Sequence, residues 1–499
     1  MGPVKHRGVR ADAQRVTQAP VAASSRAVAA PPEQASAPES APVRTAWRAS
    51  VPVAVVLLMC GWWLLVAPRL WGGREAGAVT GGVILTGLSI LAIQPQRWVP
   101  RSAVWSAGAI SVGAFGVALF APTGWAGATT AASYVGAAWT VIAVAAAVVR
   151  DRRFVDFLAL LLVAGVQVEV AESWLAWWGG GDPRQPIVGT FYWHDPFAAF
   201  LLPGTVVGLA LWLRKRRATA LFGLVGLVLG SIGLVYSTSR ASDACFAAAV
   251  VLVGAMAARG GGLAAIRRFA LAVLVAVAGI FAVAGPPFFP HRSLPFAGTA
   301  ARAGGQSLGQ NGGYRIDFWR EALGVFGRHP LVGGGYHSLA SESVGHDPSG
   351  WPLSPLAHNG YLQALSDGGL LLAVPFGIAV VALSWWTLSA LLRAVRRRDD
   401  SVARFVLPLC LGAMLLHSAV DFDWSYAADF ALAAVLAGAV AGQRWADRGP
   451  APARASRARR SVVMAGVALC AVAAVAAWSG DLTQSLPIAH NNHLSGGRS

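Results

Sequence analysis

Long blocks of apolar residues follow one another along most of the chain, separated by short polar connections. The blocks are about 17 to 25 residues long, the length at which an α-helix crosses the roughly 30 Å hydrocarbon layer of a bilayer. The pattern therefore predicts an all-α fold, a polytopic transmembrane helical bundle of about 12 to 13 spans. The predicted spans cover residues 51–67, 76–93, 103–121, 126–149, 154–175, 196–213, 218–236, 243–258, 269–285, 364–392, 402–420, 427–443 and 461–478.

Positive charges mark every second connection between these blocks. Because Lys and Arg collect in the cytoplasmic loops of membrane proteins, the alternation places the N-terminus in the cytoplasm and, with an odd span count, the C-terminus outside. Residues 68–75, with Arg69 and Arg74, are a mild exception on the outer side. The basic connections contain residues 97–101, 150–153, 214–217, 259–268, 393–398 and 444–460.

The lengths of the connections predict how the chain is organised. Residues 1–46 are rich in Ala, Pro, Ser and Gln, and we expect them to form a disordered cytoplasmic tail. Residues 47–285 contain spans 1 to 9, residues 358–478 contain spans 10 to 13, and residues 479–499 form an extracytoplasmic tail. Residues 286–357 are by far the longest connection and are predicted to be a large extracytoplasmic loop, a length typical of functional or disordered segments.

A short amphipathic helix is predicted within this loop, over residues 314–326. Its apolar residues recur at three- and four-residue spacing, which places them on one helix face. We expect the helix to lie against the outer rim of the bundle, with Arg315 and Arg320 near the membrane interface. The predicted apolar face consists of Ile316, Trp319, Leu323 and Phe326.

Composition agrees with a membrane protein and excludes two other classes. Only 13% of the residues are charged and the mean hydropathy is +0.54, whereas a soluble domain carries roughly a quarter charged residues. The net charge of +17 suggests nucleic-acid binding, but the basic residues lie in the topology-marking clusters without an interleaved aromatic surface, so we predict no nucleic-acid partner. The four cysteines lie inside apolar blocks, without the spacing of a disulfide framework or a zinc site.

Polar groups that could carry chemistry gather on the predicted outer side. Arginines there suit a phosphate-bearing ligand, because guanidinium binds phosphate oxygens bidentately and stays charged. Fixed cations would stabilise the negative charge that develops on a diphosphate leaving group, and a histidine could accept the proton of an acceptor hydroxyl. The candidates are His194, Arg240, Arg315, Arg320, His358, Asn359 and Asp421, the last with His417 nearby.

Each candidate also has a purely structural interpretation. Arg240 could extend to the membrane interface as long basic side chains do. Arg315 and Arg320 could pair with Asp317 and Glu321 on a solvated helix face. Asn359 is a suitable N-cap for the tenth span. His358 could be a solvated loop residue, and His417 with Asp421 could join the loop to the helix by hydrogen bonds.

The order of several motifs resembles the O-antigen ligase and O-antigen polymerase superfamily of bacterial membrane glycosyltransferases, which includes protein O-oligosaccharyltransferases. The resemblance covers roughly residues 185–425. Two departures are His194-Asp-Pro-Phe197, where asparagines usually flank the proline, and Asp367 with Leu372 in place of a glutamate and a glycine. The motifs are residues 189–201, 237–241, 314–323, 329–335, 358–363 with 367–370, and His417 with Asp421.

The resemblance implies a metal-independent enzyme without a cofactor in the bacterial inner membrane, active in cell-envelope polysaccharide biosynthesis. Its donor would be an undecaprenyl-diphosphate-linked glycan, and membrane lipid would surround it. Arg240 and Arg315 resemble the arginines that hold the diphosphate, His358 resembles the catalytic histidine, and Asn359 its neighbour. We accordingly expect His358 and Arg315 to be catalytic, and Arg240, Asn359, Arg320, His194 and Asp421 to bind substrate.

Two other functions are weighed against this one, and three acceptors fit it. A glycolipid transporter or flippase would show repeated halves and broken helices at mid-membrane, and the sequence shows no convincing repeat. A non-enzymatic assembly protein would have no need of the arginine and histidine cluster. A growing glycan as acceptor would make the protein a polymerase, lipid A core a ligase, and a protein Ser or Thr an oligosaccharyltransferase.

Overall fold

A computed structural model describes most of the chain, and every regular element in the described ranges is helical, which confirms the predicted all-α class. By contacts, residues 1–46 form one unit, of which only the start of the first helix is described, and residues 47–499 form a second. The predicted tails and much of the 286–357 loop therefore lie outside the described part. The described residues are 43–70, 75–95, 99–178, 187–191, 193–214, 217–283, 308–342, 356–449, 460–461 and 463–479.

The helices follow the predicted apolar blocks closely. Helix α1 continues through a π-helical turn and a 3-10 turn to Leu70, and a π-helical turn over Val402–Val406 leads into α12. The helices are α1 Val43–Gly61, α2 Glu75–Ile93, α3 Arg101–Phe120, α4 Ala128–Arg150, α5 Phe154–Trp178, α6 His194–Leu213, α7 Arg217–Ser237, α8 Arg240–Ala282, α9 Leu308–Arg328, α10 Ser338–Glu342, α11 Gly360–Arg397, α12 Leu407–His417, α13 Ala427–Ala446 and α14 Val463–Ser479.

Within the described ranges, nine helices are long and apolar enough to cross a membrane. One of them, α8, has 43 residues and breaks at Gly262 (φ 58°, ψ −154°), so it contains both the eighth and the ninth predicted span. The eleventh, twelfth and thirteenth predicted spans coincide with the apolar helices α12, α13 and α14. The chain is a polytopic membrane protein.

Close helix crossings use glycine where backbones meet. A Cβ atom added to Gly208 on α6 would lie 2.7 Å from the carbonyl oxygen of Gly223 on α7. A Cβ atom added to Gly223 would lie 2.6 Å from the carbonyl oxygen of Gly208. Helices in membranes associate through such small residues, since lipid tails supply no hydrophobic force between them. The crossing holds α6 in the bundle interior, where nearly all its residues are buried.

One of the two arginines that depart from the charge pattern, Arg69, forms a half-buried ion pair, and Arg74 lies outside the described residues. Arg69 follows the first span, and its Nε donates to a carboxylate oxygen of Glu172 on α5. The ion pair neutralises this positive charge locally. Arg69 is thereby accounted for by a structural contact between two helix ends.

Helix α11 is interrupted by a neighbouring loop. At Gly369 its backbone turns to φ 52° and ψ −157°, and residues 329–335 take up the freed hydrogen-bonding groups. Two amides of the loop donate to carbonyls of residues 366 and 367, and two amides of residues 370 and 371 donate to the loop, at 2.9 to 3.0 Å. The glycine-rich 329–335 motif and the 367–370 motif therefore contact each other through backbone hydrogen bonds.

The predicted loop helix exists as α9, which begins six residues earlier than predicted. Ala322 and Val325 are buried against Leu339, Ala357 and Leu362. Of the predicted apolar face, Ile316 and Leu323 are 46% and 49% exposed, whereas Trp319 and Phe326 are half-buried. Exposed apolar residues are normal at a membrane-facing rim, which is the position expected for this helix.

Candidate functional site

A tight turn between α12 and α13 places two buried aspartates at one end of the bundle. Residues 417–420 close a first turn through the Val420 amide and the His417 carbonyl, and a 3-10 turn over Asp423–Ser425 follows. Asp421 is fully buried and Asp423 is 2% exposed. Buried carboxylates require partners, so their surroundings identify the groups that matter here.

Asp421 lies between two of the predicted catalytic residues. The guanidinium Nη2 of Arg315 is 3.9 Å from Oδ2 of Asp421, and Nδ1 of His358 is 3.6 Å from Oδ1. These are ion-pair distances, longer than hydrogen bonds, whereas the Phe422 amide donates to Oδ1 at 2.9 Å. The loop helix α9, the start of α11 and the α12–α13 turn thus meet at one carboxylate.

Two aromatic side chains fix the imidazole ring of His358. Phe318 stacks on it with ring centroids 5.4 Å apart, and Phe422 meets it edge-on at 4.6 Å. Phe318 lies one turn after Arg315 on α9, so the helix contacts the site twice. The side chain of His358 is 19% exposed while its Nδ1 is buried, so the accessible part of the ring lies away from Asp421.

The backbone of His358 is held in a sparsely populated conformation. Its φ is +48°, in the left-handed region that non-glycine residues seldom adopt. The neighbours on both sides are tied down, since the Ala357 amide donates to Gln363 at 2.7 Å and the Gly360 amide donates to the Ser418 carbonyl at 2.8 Å. Such over-determined strain is typical of functional sites.

Both polar atoms of the Asn359 side chain form hydrogen bonds with the backbone. Its Oδ1 accepts from the amides of Tyr361 and Leu362 at 3.0 Å each, which is the N-cap geometry, and its Nδ2 donates to the Ala419 carbonyl at 2.8 Å. The side chain therefore fastens the start of α11 to the end of α12. Its effect on substrate would act through the position of His358.

A second buried chain of hydrogen bonds lies behind Asp421. His417, 1% exposed, is linked through Nδ1 to Oδ2 of Asp423 at 2.7 Å and through Nε2 to Oγ of Ser242 at 2.9 Å. The Ser418 hydroxyl donates to the same Asp423 oxygen at 2.9 Å. The chain joins the α12–α13 turn to the first turn of α8, the segment that contains Arg240.

Arg240 is the free cation of that segment. It is half-buried at the first residue of α8, and no carboxylate of the described residues lies within 4.0 Å of its guanidinium. Its neighbour Ser242 is bonded to His417, as above. Arg240 is therefore held beside the site by its own helix end while its charge remains available.

The remaining candidates, His194 and Arg320, each pair with an aspartate other than Asp421. His194 contacts its neighbour Asp195, with Nδ1 3.3 Å from Oδ1, and Asp195 influences both Asp421 and His417 electrostatically. Arg320 pairs with Asp317 at 3.0 Å on an exposed face of α9, away from the buried carboxylate. The site thus unites Arg315, His358 and Asp421 directly, with His194 adjacent and Arg320 outside.

Burial raises the pKa of Asp421 above the ordinary aspartate value. The nearby carboxylates Asp195 and Asp423 raise it further, and His358 and His417 oppose the shift. The carboxylate is therefore protonated at a higher pH than an exposed aspartate would be.

Three groups that complete the site were not nominated from the sequence. Asp423, Ser242 and Phe318 supply the buried hydrogen bonds and the ring contact. A signal existed for two of them, since Asp423 stands two residues from Asp421 and Ser242 belongs to the serine-rich segment around Arg240. No group of three His, Cys, Asp or Glu side chains among the described residues is arranged to hold a metal ion.

A comparison with known protein families covers part of this site. Residues 225–377 match a family model described as O-Antigen ligase, a range that contains Arg240, Arg315 and His358. The match confirms the resemblance to the O-antigen ligase superfamily over these residues and supports a membrane glycosyltransferase-like ligase. No curated protein sequence matches the chain.

Proposed function

We propose that the protein transfers a glycan from an undecaprenyl-diphosphate carrier to an acceptor hydroxyl at the extracytoplasmic face of the inner membrane. The observation that carries the proposal is the meeting of Arg315 and His358 at the buried Asp421. A cation and a base held by one carboxylate are the groups that such a transfer needs. The family match over residues 225–377 supports the same reaction class.

In the proposed reaction, the oxygen of the acceptor hydroxyl attacks the anomeric carbon of the donor sugar. The bond from that carbon to the diphosphate oxygen breaks, and the diphosphate leaves with the electron pair. The hydroxyl proton passes to Nε2 of His358. The products are a new glycosidic bond and the lipid diphosphate, so atoms and charge balance without a metal ion.

Each group has a proposed role in this step. Asp421 faces Nδ1 of His358, which favours the tautomer with the proton on Nδ1 and a free lone pair on Nε2. Arg315 and Arg240 supply fixed positive charge for the departing diphosphate. The stacked Phe318 couples the position of Arg315 to that of the imidazole ring.

The direct test measures glycan output in cells with His358→Ala and Arg315→Ala proteins at equal membrane levels. Both variants should reduce output by at least 100-fold, roughly the contribution of a general base or an electrostatic stabiliser. Arg328→Ala on the same helix removes a partly exposed ion pair and a backbone hydrogen bond to Glu342, away from Asp421, and should retain output. Near-normal output from the first two variants would refute the mechanism.

Two alternative functions, a glycolipid transporter and a non-enzymatic assembly protein, would form no covalent product. Breaks in spanning helices are a feature of transporters, and α11 is broken at Gly369. That break comes only nine residues after the helix begins beside His358, and it is filled by residues 329–335. The break in α11 therefore favours a role in positioning the site over a role in transport.

The acceptor is proposed only as a hydroxyl of a glycan, a lipid or a protein.

A further inference from the structure

A cleft lined by arginines lies at the end of the bundle opposite Asp421. Helix α11 runs from His358 to this cleft, and α13 runs from the α12–α13 turn to the same place. Nothing in the proposed transfer uses this end of the molecule. The lining includes Trp386, Arg393, Arg397, Asp399, Arg404 and Arg444.

The positive charge of the cleft is only partly balanced. Arg404 binds both nearby acids, with Nη1 3.3 Å from Asp399 and Nη2 3.9 Å from Asp447. Among the described residues, no carboxylate lies within 4.0 Å of the guanidinium groups of Arg393, Arg397 or Arg444. Three cations of the cleft therefore have no carboxylate within ion-pair distance among the described residues.

The guanidinium group of Arg444 is held in a fixed position, and its Nε is a hydrogen-bond donor that lacks an acceptor. Its guanidinium carbon lies 5.5 Å from the centre of the Trp386 ring, a cation–π contact that orients the group. Its Nε is buried and has no hydrogen-bond partner in the described part of the chain. A buried charged donor without an acceptor is costly, so the geometry indicates a ligand with anionic oxygens.

The surroundings of the cleft indicate a lipid. On the outer face of α11, directly before the cleft, Trp385, Leu388 and Leu392 are 62%, 50% and 47% exposed. These residues recur at three- and four-residue spacing and form one apolar stripe along the span. A headgroup in the cleft would leave its acyl chains along this stripe, and basic pockets between spanning helices bind phosphate-bearing headgroups.

We propose that this cleft binds the phosphate of an anionic membrane lipid. Arg444 and Arg393 donate to the phosphate oxygens, and Trp386 keeps Arg444 in place. Free phosphate shares the headgroup chemistry but has no acyl chains for the α11 stripe. The proposal is independent of the glycosyl transfer, because no residue of the cleft belongs to the Asp421 site.

The test is native mass spectrometry of the full-length protein in detergent, titrated with phosphatidylglycerol, phosphatidylcholine or inorganic phosphate. Phosphatidylglycerol should bind most tightly. Arg444→Gln and Arg393→Gln should each weaken it roughly tenfold, the scale of one charge-assisted hydrogen bond. The matched control is Arg396→Gln, an exposed arginine on the same helix outside the cleft, which should bind like wild type.

Several results would overturn the proposal. Equal affinity for phosphatidylcholine, or equal weakening by Arg396→Gln, would mean nonspecific adsorption. Inorganic phosphate binding that depends on Arg444, without lipid binding that does, would identify a soluble anion as the ligand. Size-exclusion profiles and thermal unfolding without added lipid show whether each variant is folded, and Arg393→Gln provides the same answer if Arg444→Gln fails to fold.

Discussion

The buried link between His417 and Asp423 allows a prediction whose size follows from the contacts. Asp423→Ala removes the acceptor for Nδ1 of His417 at 2.7 Å and for the Ser418 hydroxyl at 2.9 Å. Both donors are almost fully buried, so water cannot replace the lost carboxylate. Breaking a buried pair by removing one partner costs about 3 to 5 kcal/mol.

We therefore expect Asp423→Ala to lower the free energy of unfolding by about 3 to 5 kcal/mol. Asp423→Asn keeps an oxygen acceptor and should lower it by about 1 to 3 kcal/mol, the cost of one imperfect hydrogen bond. The assay is denaturant unfolding of the purified protein in detergent micelles. Asp317→Ala, which removes an exposed carboxylate on α9, is the control and should change it by less than about 0.5 kcal/mol.

The same variants separate stability from positioning. Because His417 also bonds Ser242 at the start of α8, losing Asp423 should loosen the segment with Arg240 and raise the KM for the lipid-linked donor. Partial recovery of KM in Asp423→Asn relative to Asp423→Ala is expected. Unchanged stability in Asp423→Ala would refute the reasoning, since it would mean that the buried hydrogen bonds are not formed.

Three further predictions concern the groups around His358. Burial raises the pKa of Asp421, so activity that needs its carboxylate should fall on acidification at a pH above the ordinary aspartate range. Folding stability should rise over the same pH range, because the folded state holds the proton more tightly than the unfolded state. The acidic limb of the pH–activity profile should be lost in Asp421→Asn, and an unchanged limb would contradict the assignment. Gly333→Ala places a Cβ against the Asp367 carbonyl at φ 67°, so membrane levels and activity should both drop, and normal activity would show that the break in α11 tolerates rearrangement. Asn359→Ala removes the N-cap of α11 and should lower the free energy of unfolding by about 1 kcal/mol. It should also lower kcat, because His358 directly precedes the cap residue and is positioned by it; a stability loss with intact kcat would make Asn359 structural only.

The topology of the bundle was predictable because the bilayer imposes one length on every span. The apolar blocks coincide with helices, including the two halves of α8 on either side of Gly262. The residues through which α9 packs on the bundle were less predictable from the same pattern. Lipid is as apolar as the protein core, so apolar periodicity does not separate a lipid-facing stripe from a packed one.

The site was only partly predictable. The alternation of basic connections assigned Arg315, His358 and Asp421 to the same side, and all three do meet. Their contact depends on docking of α9 and on the turn at 417–425, which are long-range features without a local pattern. The sequence around Asp421 and Asp423 does not indicate which histidine each aspartate contacts. The conformation of the turn directs Asp421 to His358 and Asp423 to His417.

The central claim is that Arg315 and His358, held at Asp421, carry out glycosyl transfer. The most direct measurement is product formation by the purified protein given a labelled undecaprenyl-diphosphate glycan and a glycan acceptor, a lipid acceptor or a protein acceptor in turn. Wild type should release undecaprenyl diphosphate and glycosylate one acceptor, and His358→Ala and Arg315→Ala should form less than about 1% as much product. Product formed equally well by wild type and both variants would contradict the account.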